Sequence, residues 1–301
     1  MAYRSGWRSG CIQPALVVLV LVTAAFSKPA HSAACDSELL RRIPPRPRQA
    51  ITGKEFVAQA RALSGLDRDA AIRTELLEVN LPDFLRHVVP VTLYASTSSH
   101  ATAVTVCVLP DYLAVGSDAD FVLVPMGLEA ALIVARQFGF DLPTPPVVDA
   151  IYRYSRVKLL PQPLPAGPQM RSTDYFAYHN ELIAEQRDEL GAPLGELTAG
   201  HKKDLVLTSR LWGIPGRVAI YGWHRDAQSP IQPLSTVHGE RYSDYSHGVR
   251  LVSQWVFVDG VRHEMADVLA TPSLARALTN EGALSHLSTR LDLLLRLQSK
   301  Q

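Results

Sequence analysis

The chain of 301 residues is long enough for one large domain or two modest ones. It carries 30 basic and 29 acidic residues, and this balance excludes a general electrostatic attraction to nucleic acid. Its apolar content of 47% is typical of a globular protein.

The first 34 residues have the pattern of a secretory signal peptide. Arg4 and Arg8 precede the apolar run "ALVVLVLVTAAF" at residues 15–26, and small residues follow at 32–34, where cleavage is expected. The apolar run is too short to span a bilayer comfortably. We therefore expect a secreted or periplasmic protein with no membrane span after cleavage of the signal.

Two cysteines, Cys35 and Cys107, remain after such a cleavage. In an oxidising compartment they could form a disulfide. Alternatively, Cys107 could be a buried thiol, because it lies in the strand-like sequence "VTVCVL". Residues 35–50 are rich in proline and arginine, which predicts a lead-in to the folded part rather than part of it.

Residues 51–301 are predicted to form a single α+β domain. Thr52 and Glu55 have the spacing of a capping box at the start of the first helix. Apolar periodicity and caps predict helices near 52–63, 67–79, 127–139, 142–157, 174–190, 273–278 and 284–298. Asp174 is the expected cap of the helix that begins there.

Strand-like sequences occur in both halves of the chain, at 87–96, 101–116, 118–126, 204–211, 216–224 and 248–260. Together the elements predict the α+β class, with a mixed or mainly antiparallel sheet in the C-terminal half and flanking helices. Residues 160–172 contain four prolines, which favours a long loop within one domain, although a division into two domains would also explain them.

Four histidines lie at the ends of predicted strands: His201, His224, His238 and His247. Loops at strand ends are where a rigid scaffold usually presents catalytic groups. Histidine is suited to proton transfer near neutral pH and is the commonest metal ligand. The pattern therefore predicts that at least two of the four share one site.

A metal-dependent site is the first hypothesis for these residues. Its ligands would be His201, Asp204, His224 and His247, and zinc is the favoured divalent metal. A water molecule on such an ion would be the nucleophile, because coordination lowers its pKa toward neutrality.

Metal-free acid–base chemistry is the second hypothesis, with His238, Tyr245, His247 and Arg250 as the catalytic residues. In a strand, Tyr245 and His247 would point to the same face. Arg250 would hold an anionic group, as in lyases that cleave uronate polysaccharides.

The sequence "SHGVRL" at 246–251 resembles the SHGC(I/V)R(L) signature of L,D-transpeptidases, which crosslink peptidoglycan. His238 and Gly239 are similar to the upstream HG motif of that family. The resemblance covers about fourteen residues, and the nucleophilic cysteine is absent, because Gly248 is followed directly by Val249. No thioester chemistry is implied without a thiolate, and no catalytic role is carried over.

Two further polar stretches have alternative explanations. Lys202 and Lys203 could form a solvated turn or could bind an acidic glycan or a peptide carboxylate. The stretch "PDYLAVGSDADF", with Asp111, Asp118 and Asp120, predicts ordinary turn chemistry rather than a calcium site, because the calcium-loop spacing is missing.

These patterns favour an enzyme, namely a secreted or periplasmic hydrolase that acts on a cell-envelope or extracellular polymer through a His/Asp-rich site. The expected partner is a polymeric or anionic extracellular substrate, and no nucleic acid is expected. The alternatives are a metal-free polysaccharide lyase and a non-catalytic secreted protein that binds a glycan or another protein. The sequence leaves the oligomeric state open.

Overall fold

The structure is a computed structural model that describes residues 1–2, 6, 35, 43–96, 101–227 and 230–286. Residues 3–5 and 7–34 of the predicted signal peptide and residues 36–42 of the lead-in lie outside the described residues. The predicted helix at 284–298 also lies outside them, apart from residues 284–286, which do not form a helix.

Eight α-helices occur among the described residues. They are α1 (Gly53–Ala60), α2 (Gly65–Leu77), α3 (Leu128–Gln137), α4 (Pro145–Tyr154), α5 (Thr173–Glu189), α6 (Arg210–Gly213), α7 (Met265–Ala270) and α8 (Pro272–Leu278). The predicted capping box is confirmed at α1, where Thr52 and Glu55 satisfy each other's backbone N–H groups. Gly139, with φ of 73°, follows the end of α3, as expected from its tolerance of the left-handed region.

The predicted cap of α5 was wrong by two residues. The Ser172 hydroxyl accepts a hydrogen bond from the backbone N–H of Tyr175 and caps the helix. Asp174 lies in the first turn, where its carboxylate forms an exposed ion pair of 2.9 Å with Arg61. Both side chains suit a helix N-terminus, and only the backbone conformation decides between them.

A five-stranded antiparallel sheet draws its strands from both ends of the chain. The strands are β1 (Val89–Ser96), β2 (Ala101–Val108), β5 (Phe140–Asp141), β12 (Val252–Val258) and β13 (Val261–Glu264). Their order in the sheet is β1-β2-β12-β13, and β5 pairs with β12.

A four-stranded mixed sheet positions the histidines. Its strands are β8 (Lys203–Leu205), β9 (Ile220–His224), β10 (Pro230–Ser235) and β11 (His247–Gly248). Their order is β10-β9-β8-β11, and β11 runs parallel to β8. Two small pairs complete the strands: β3 (Ala114–Ser117) with β4 (Asp120–Leu123), and β6 (Val157–Lys158) with β7 (Thr198–Ala199). The predicted α+β class, with mixed and mainly antiparallel sheets, is confirmed.

The connector at 160–172 contacts both parts of the chain that it joins. Toward the N-terminal part, the Arg171 carbonyl accepts a hydrogen bond from Arg68, and the other contacts are with the C-terminal part. The Leu164 N–H donates to the Tyr245 hydroxyl over 2.7 Å, and the Tyr245 N–H donates to the Met170 carbonyl over 3.0 Å. The Leu160 carbonyl accepts a hydrogen bond from Gln186 on α5. Among the described helices, none has the length and apolar character needed to cross a membrane.

Cys35 and Cys107 form a disulfide, with 5.7 Å between their Cα atoms. Both residues are buried, and Cys107 lies in the strand β2. Of the two alternatives left open for Cys107, the structure has the disulfide and not a buried free thiol, and the residue lies in a strand as its sequence indicates. The bond closes a loop with a sequence separation of 72 residues, and a crosslink of this kind restricts the unfolded chain.

We expect the Cys35→Ser/Cys107→Ser double variant to lose about 2–4 kcal/mol of unfolding free energy. Urea denaturation followed by circular dichroism measures this difference. A reducing agent should destabilise the wild-type protein and leave the double variant unchanged. Equal stability of the two proteins under oxidising conditions would contradict the stabilising role of the bond.

Candidate functional site

The short strand β11 brings His247 next to Lys203. The two residues are partners in the parallel pairing of β11 with β8, and paired residues project to the same face of a sheet. The following residue has to be glycine, because a Cβ atom at Gly248 would lie 2.6 Å from the Tyr112 ring. The His-Gly pair is thus a packing requirement at this position.

Around His247 lies a group of five side chains that we call the His247 cluster: Lys203, His238, Tyr242, Asp244 and His247. His238 stacks on Tyr242, with ring centroids 4.1 Å apart and planes inclined by 6°. The His247 ring centroid lies 6.1 Å from that of His238 and 5.7 Å from that of Tyr242. The two HG motifs of the sequence therefore meet in space.

Asp244 connects the members of the His247 cluster. One carboxylate oxygen accepts hydrogen bonds from the Ser246 N–H over 2.8 Å and from the Ser246 hydroxyl over 2.6 Å. The other accepts the Tyr242 hydroxyl over 3.0 Å and lies 3.9 Å from His247 Nε2. This arrangement fixes the carboxylate beside the imidazole, at a distance too long for a hydrogen bond between them.

His247 itself is buried, yet neither of its ring nitrogens has a hydrogen-bond partner among the described residues. A buried polar atom without a partner costs free energy and calls for a specific explanation. Burial lowers the pKa of His247 to about 4, and Lys203 adds to this effect while Asp244 opposes it. The ring is therefore a neutral base at neutral pH.

The pKa values of the other titratable members of the His247 cluster are also shifted. Burial opposes the ionisation of Asp244, but His247, the Ser246 donors and Lys203 together lower its pKa. Burial and Asp244 raise the pKa of Tyr242 to about 12, so its hydroxyl stays a donor. Burial lowers the pKa of Lys203, and Asp244 partly offsets this shift.

The Lys203 ammonium group makes a cation–π contact with Trp223 and lies 4.8 Å from the indole centroid. The backbone of Trp223 has a φ of 59°, an unusual value for a bulky side chain. Strain of this kind persists only where the surroundings impose it, and it is frequent at functional sites. No pattern in the sequence indicates this role of Trp223.

Tyr245 and Arg250, two predicted catalytic residues, project away from the His247 cluster into the interior. The Tyr245 hydroxyl is bonded to the backbone of Leu164. The Arg250 guanidinium donates to the carbonyls of Leu109 over 2.9 Å and Thr198 over 2.6 Å. Arg250 is fully buried, so its contacts favour a structural role.

His201 pairs with Asp111 in the interior, at a distance of 3.2 Å between His201 Nε2 and the carboxylate. Arg187 donates to the other carboxylate oxygen of Asp111 over 2.5 Å. Burial opposes the ionisation of Asp111, but His201, Arg187 and Arg250 lower its pKa to about 2. Burial lowers the pKa of His201, so the carboxylate faces a neutral ring and two guanidinium groups.

Asp204 and His224 have different partners again. The Asp204 carboxylate accepts the Tyr112 hydroxyl over 2.9 Å, and burial raises its pKa to about 6. His224 Nε2 lies 2.9 Å from Asp149, which also accepts the Tyr221 hydroxyl over 2.9 Å.

The four predicted metal ligands therefore sit with four different partners: His201 with Asp111, Asp204 with Tyr112, His224 with Asp149, and His247 with Asp244. Within the described ranges, no group of three or more His, Cys, Asp or Glu side chains is arranged to hold a metal ion.

Because these donors do not converge, we expect exhaustive dialysis against a chelator to leave the thermal unfolding midpoint unchanged. Differential scanning calorimetry before and after dialysis measures this, and elemental analysis of the same samples reports bound metal. A lower midpoint that one equivalent of zinc restores would support the metal-dependent hypothesis instead.

Lys202 is an interior residue rather than part of a solvated turn. Its ammonium group donates to the Tyr245 carbonyl over 2.6 Å and contacts His179 Nδ1 at 3.0 Å. Burial lowers the pKa of Lys202 to about 7, although Asp244 and Asp111 oppose the shift. Of the two adjacent lysines, only Lys203 faces the His247 cluster.

Comparisons of the chain with known protein families, with curated proteins and with solved structures found no match. A function for this chain therefore has to follow from the geometry of its own residues.

Proposed function

We propose that the protein is a secreted or periplasmic hydrolase that acts on an anionic cell-envelope or extracellular polymer by acid–base catalysis at the His247 cluster. The observation that carries the proposal is His247: a buried neutral imidazole, with both nitrogens free of hydrogen bonds in the described structure, beside a carboxylate and an ammonium group. These are the parts that a general base requires.

In the proposed reaction, His247 accepts a proton from a water molecule whose oxygen attacks the substrate. Asp244 stabilises the imidazolium that forms, and His247 then returns the proton to the leaving group. Lys203 supplies positive charge for the oxyanion that develops during attack. The Tyr242 hydroxyl donates to Asp244 and holds that carboxylate beside His247. His238 is only half-buried and its ring centroid lies 6.1 Å from that of His247, so we place the entrance of the site at His238.

The preference for an anionic polymer rests on the rim of the His247 cluster. The exposed Arg171 guanidinium lies 5.3 Å above the Tyr242 ring. Arg217 is also exposed and is tied to the Val237 carbonyl over 2.6 Å. Together with Lys203 they present positive charge around the entrance, which favours acidic substrates.

Export of the protein is supported by two independent features. The signal-like sequence ends just before Cys35, and Cys35 forms the disulfide with Cys107. Disulfides persist in oxidising compartments and are rare in a reducing cytosol. We therefore propose that the mature chain comprises residues 35–301 and acts outside the cytoplasmic membrane.

The proposal is tested by incubating the mature chain with purified peptidoglycan and with acidic polysaccharides. New reducing ends or new amines report hydrolysis, whereas unsaturated uronate ends report a lyase. We expect hydrolysis of at least one polymer, and its loss in the Asp244→Asn variant. Chain cleavage that the Asp244→Asn variant retains in full would contradict the proposed site.

A non-catalytic glycan-binding protein is the second candidate, because the stacked pair of His238 and Tyr242 with Arg171 above it forms an aromatic platform. The same incubation separates the two candidates. Sedimentation of the protein with a polymer that stays intact would favour the binding protein. The lyase alternative relied on Tyr245 and Arg250, and both side chains lie away from the His247 cluster.

A further inference from the structure

A cavity lies between α1, the β3–β4 hairpin and α5. Its volume is about 690 Å³, which is within the range of cavities that hold small organic ligands. None of the five members of the His247 cluster lines it. The cavity is therefore a separate site, and its ligand is independent of the proposed hydrolase activity.

Apolar and polar groups share the walls of this cavity in nearly equal parts, and the apolar part comes from three elements. Val57 and Ala58 come from α1, Phe121 and Leu123 from β4, and Ile183 and Ala184 from α5. These apolar groups favour the hydrocarbon or aromatic part of a ligand, because binding removes that part from water.

The floor of the cavity carries no net charge. Arg187 and Asp111 line it and form their 2.5 Å ion pair there, and Arg187 also donates to the Thr198 hydroxyl. A paired guanidinium has little capacity to bind a further anion, because its charge is already compensated.

The rim of the cavity, in contrast, is acidic. Four carboxylates line it, from Asp118, Asp120, Glu181 and Asp188. Asp118 accepts the Phe84 N–H over 3.1 Å, and Asp120 accepts the Lys54 N–H over 3.2 Å, so both are fixed in place by backbone donors.

Two cationic side chains lie among these rim carboxylates. Lys54 is one, and the other is Arg61, whose ion partner Asp174 lies outside the lining. The negative charge at the rim is thus in excess and complements a cation.

We propose that this cavity binds an organic cation with an apolar body, such as a protonated amine on a hydrocarbon or aromatic group. The apolar part would occupy the space between Val57, Phe121 and Ala184. The ammonium group would remain at the rim, where Glu181 and Asp188 are exposed to solvent and can approach it.

Isothermal titration calorimetry of the purified protein with three hexyl compounds tests the proposal. Hexylammonium, hexanol and hexanoate share one tail and differ in charge. We expect hexylammonium to bind most tightly, and hexanoate to bind at least about fivefold more weakly than it does. Hexanol binding as tightly as hexylammonium would overturn the charge selection. Preferred binding of hexanoate, or no binding of any probe, would overturn the proposal as well.

Substitutions on α5 test whether hexylammonium binds in this cavity. Ala184→Trp should block hexylammonium, because the indole would fill the cavity from an exposed helix position. Glu181→Gln/Asp188→Asn should weaken binding by about two- to fivefold for each carboxylate removed. Glu185→Gln is the matched control: Glu185 is exposed on the same helix but does not line the cavity. Unchanged affinity in the Ala184→Trp variant would place the amine elsewhere and contradict the assignment.

Discussion

The His247→Asn variant is expected to lose about 10²–10⁴-fold in turnover of the polymer that the wild-type protein cleaves, which is the range for loss of a general base. The variant should fold, because no hydrogen bond of the imidazole to a described residue is lost. His263→Asn is the matched control, since His263 is exposed on β13. Initial rates with both variants, together with their unfolding midpoints, measure the effect.

The pH dependence gives an independent test of the same residue. Since its pKa is lowered to about 4, His247 should remain an active base until the pH approaches that value. The acid limb of kcat/KM is then expected near pH 4. The Asp244 carboxylate raises the pKa of His247, so the Asp244→Asn variant should move its protonation to lower pH in ¹⁵N NMR spectra. Protonation of His247 near 6.5, the ordinary value, would contradict the proposed environment.

The same lowered pKa affects stability in a defined direction. Between pH 6.5 and 4, the unfolded chain binds a proton at residue 247 that the folded chain does not. This residue therefore destabilises the fold as the pH falls through that window. The His247→Asn variant should lose this contribution and show a smaller acid sensitivity than the wild-type protein in urea denaturation.

The Arg250→Met variant is expected to lose about 3–5 kcal/mol of unfolding free energy, as is typical when one partner of a buried charged network is removed. The substitution leaves the carbonyls of Leu109 and Thr198 without their donor. It also removes the guanidinium that lies 4.3 Å from the Tyr112 ring centroid and 4.0 Å from Asp204. Urea denaturation at neutral pH measures the loss.

Two further variants are compared with Arg250→Met in the same denaturation experiment. Arg250→Lys should rescue little, because an ammonium group cannot donate to both carbonyls with the geometry of a planar fork. Arg153→Met is the control, as Arg153 is exposed on α4, and it should change stability by less than about 0.5 kcal/mol. A stable Arg250→Met protein with reduced turnover would support the substrate-positioning role that the sequence predicts.

Elements whose determinants lie close together in sequence could be predicted. The capping box of α1 depends on Thr52 and Glu55 alone, and it was found correctly. The helix predicted near 142–157 was found as α4, which begins three residues later, at Pro145, with proline in its first turn. The prediction of Asp174 as the cap of α5 failed because Ser172, two residues earlier, is an equally suitable cap, and the deciding factor is the path of the preceding connector.

The candidate site could be predicted only in part, because some of its determinants lie far apart in the sequence. His238 and His247 lie within one short stretch of the sequence, and their ring centroids are 6.1 Å apart in the structure. The direction of Arg250 depends on the carbonyls of Leu109 and Thr198, which are 141 and 52 positions away in the sequence. The period of two in a strand shows that successive side chains face opposite sides, but it does not show which distant groups pack against either face.

The separation of Lys202 from Lys203 illustrates this limit. Lys203 is the first residue of β8 and Lys202 directly precedes it, so the two side chains can face opposite sides, yet the sequence does not show that Lys202 is the one that points inward. The burial of Lys202 is made possible by the Tyr245 carbonyl and by His179 on α5. Neither partner could be assigned before the tertiary arrangement was known.

The pairing of β12 with β2 has a consequence for how the protein is made. Val252 of β12 pairs with Val108 of β2, across a separation of 144 positions. Contacts between such distant segments form slowly, because a long loop must close first. Until β12 has been synthesised, β2 has an open apolar edge of the kind that recruits other chains into aggregates. Nascent chains that stop before residue 252 would therefore need a holding chaperone or rapid proteolysis.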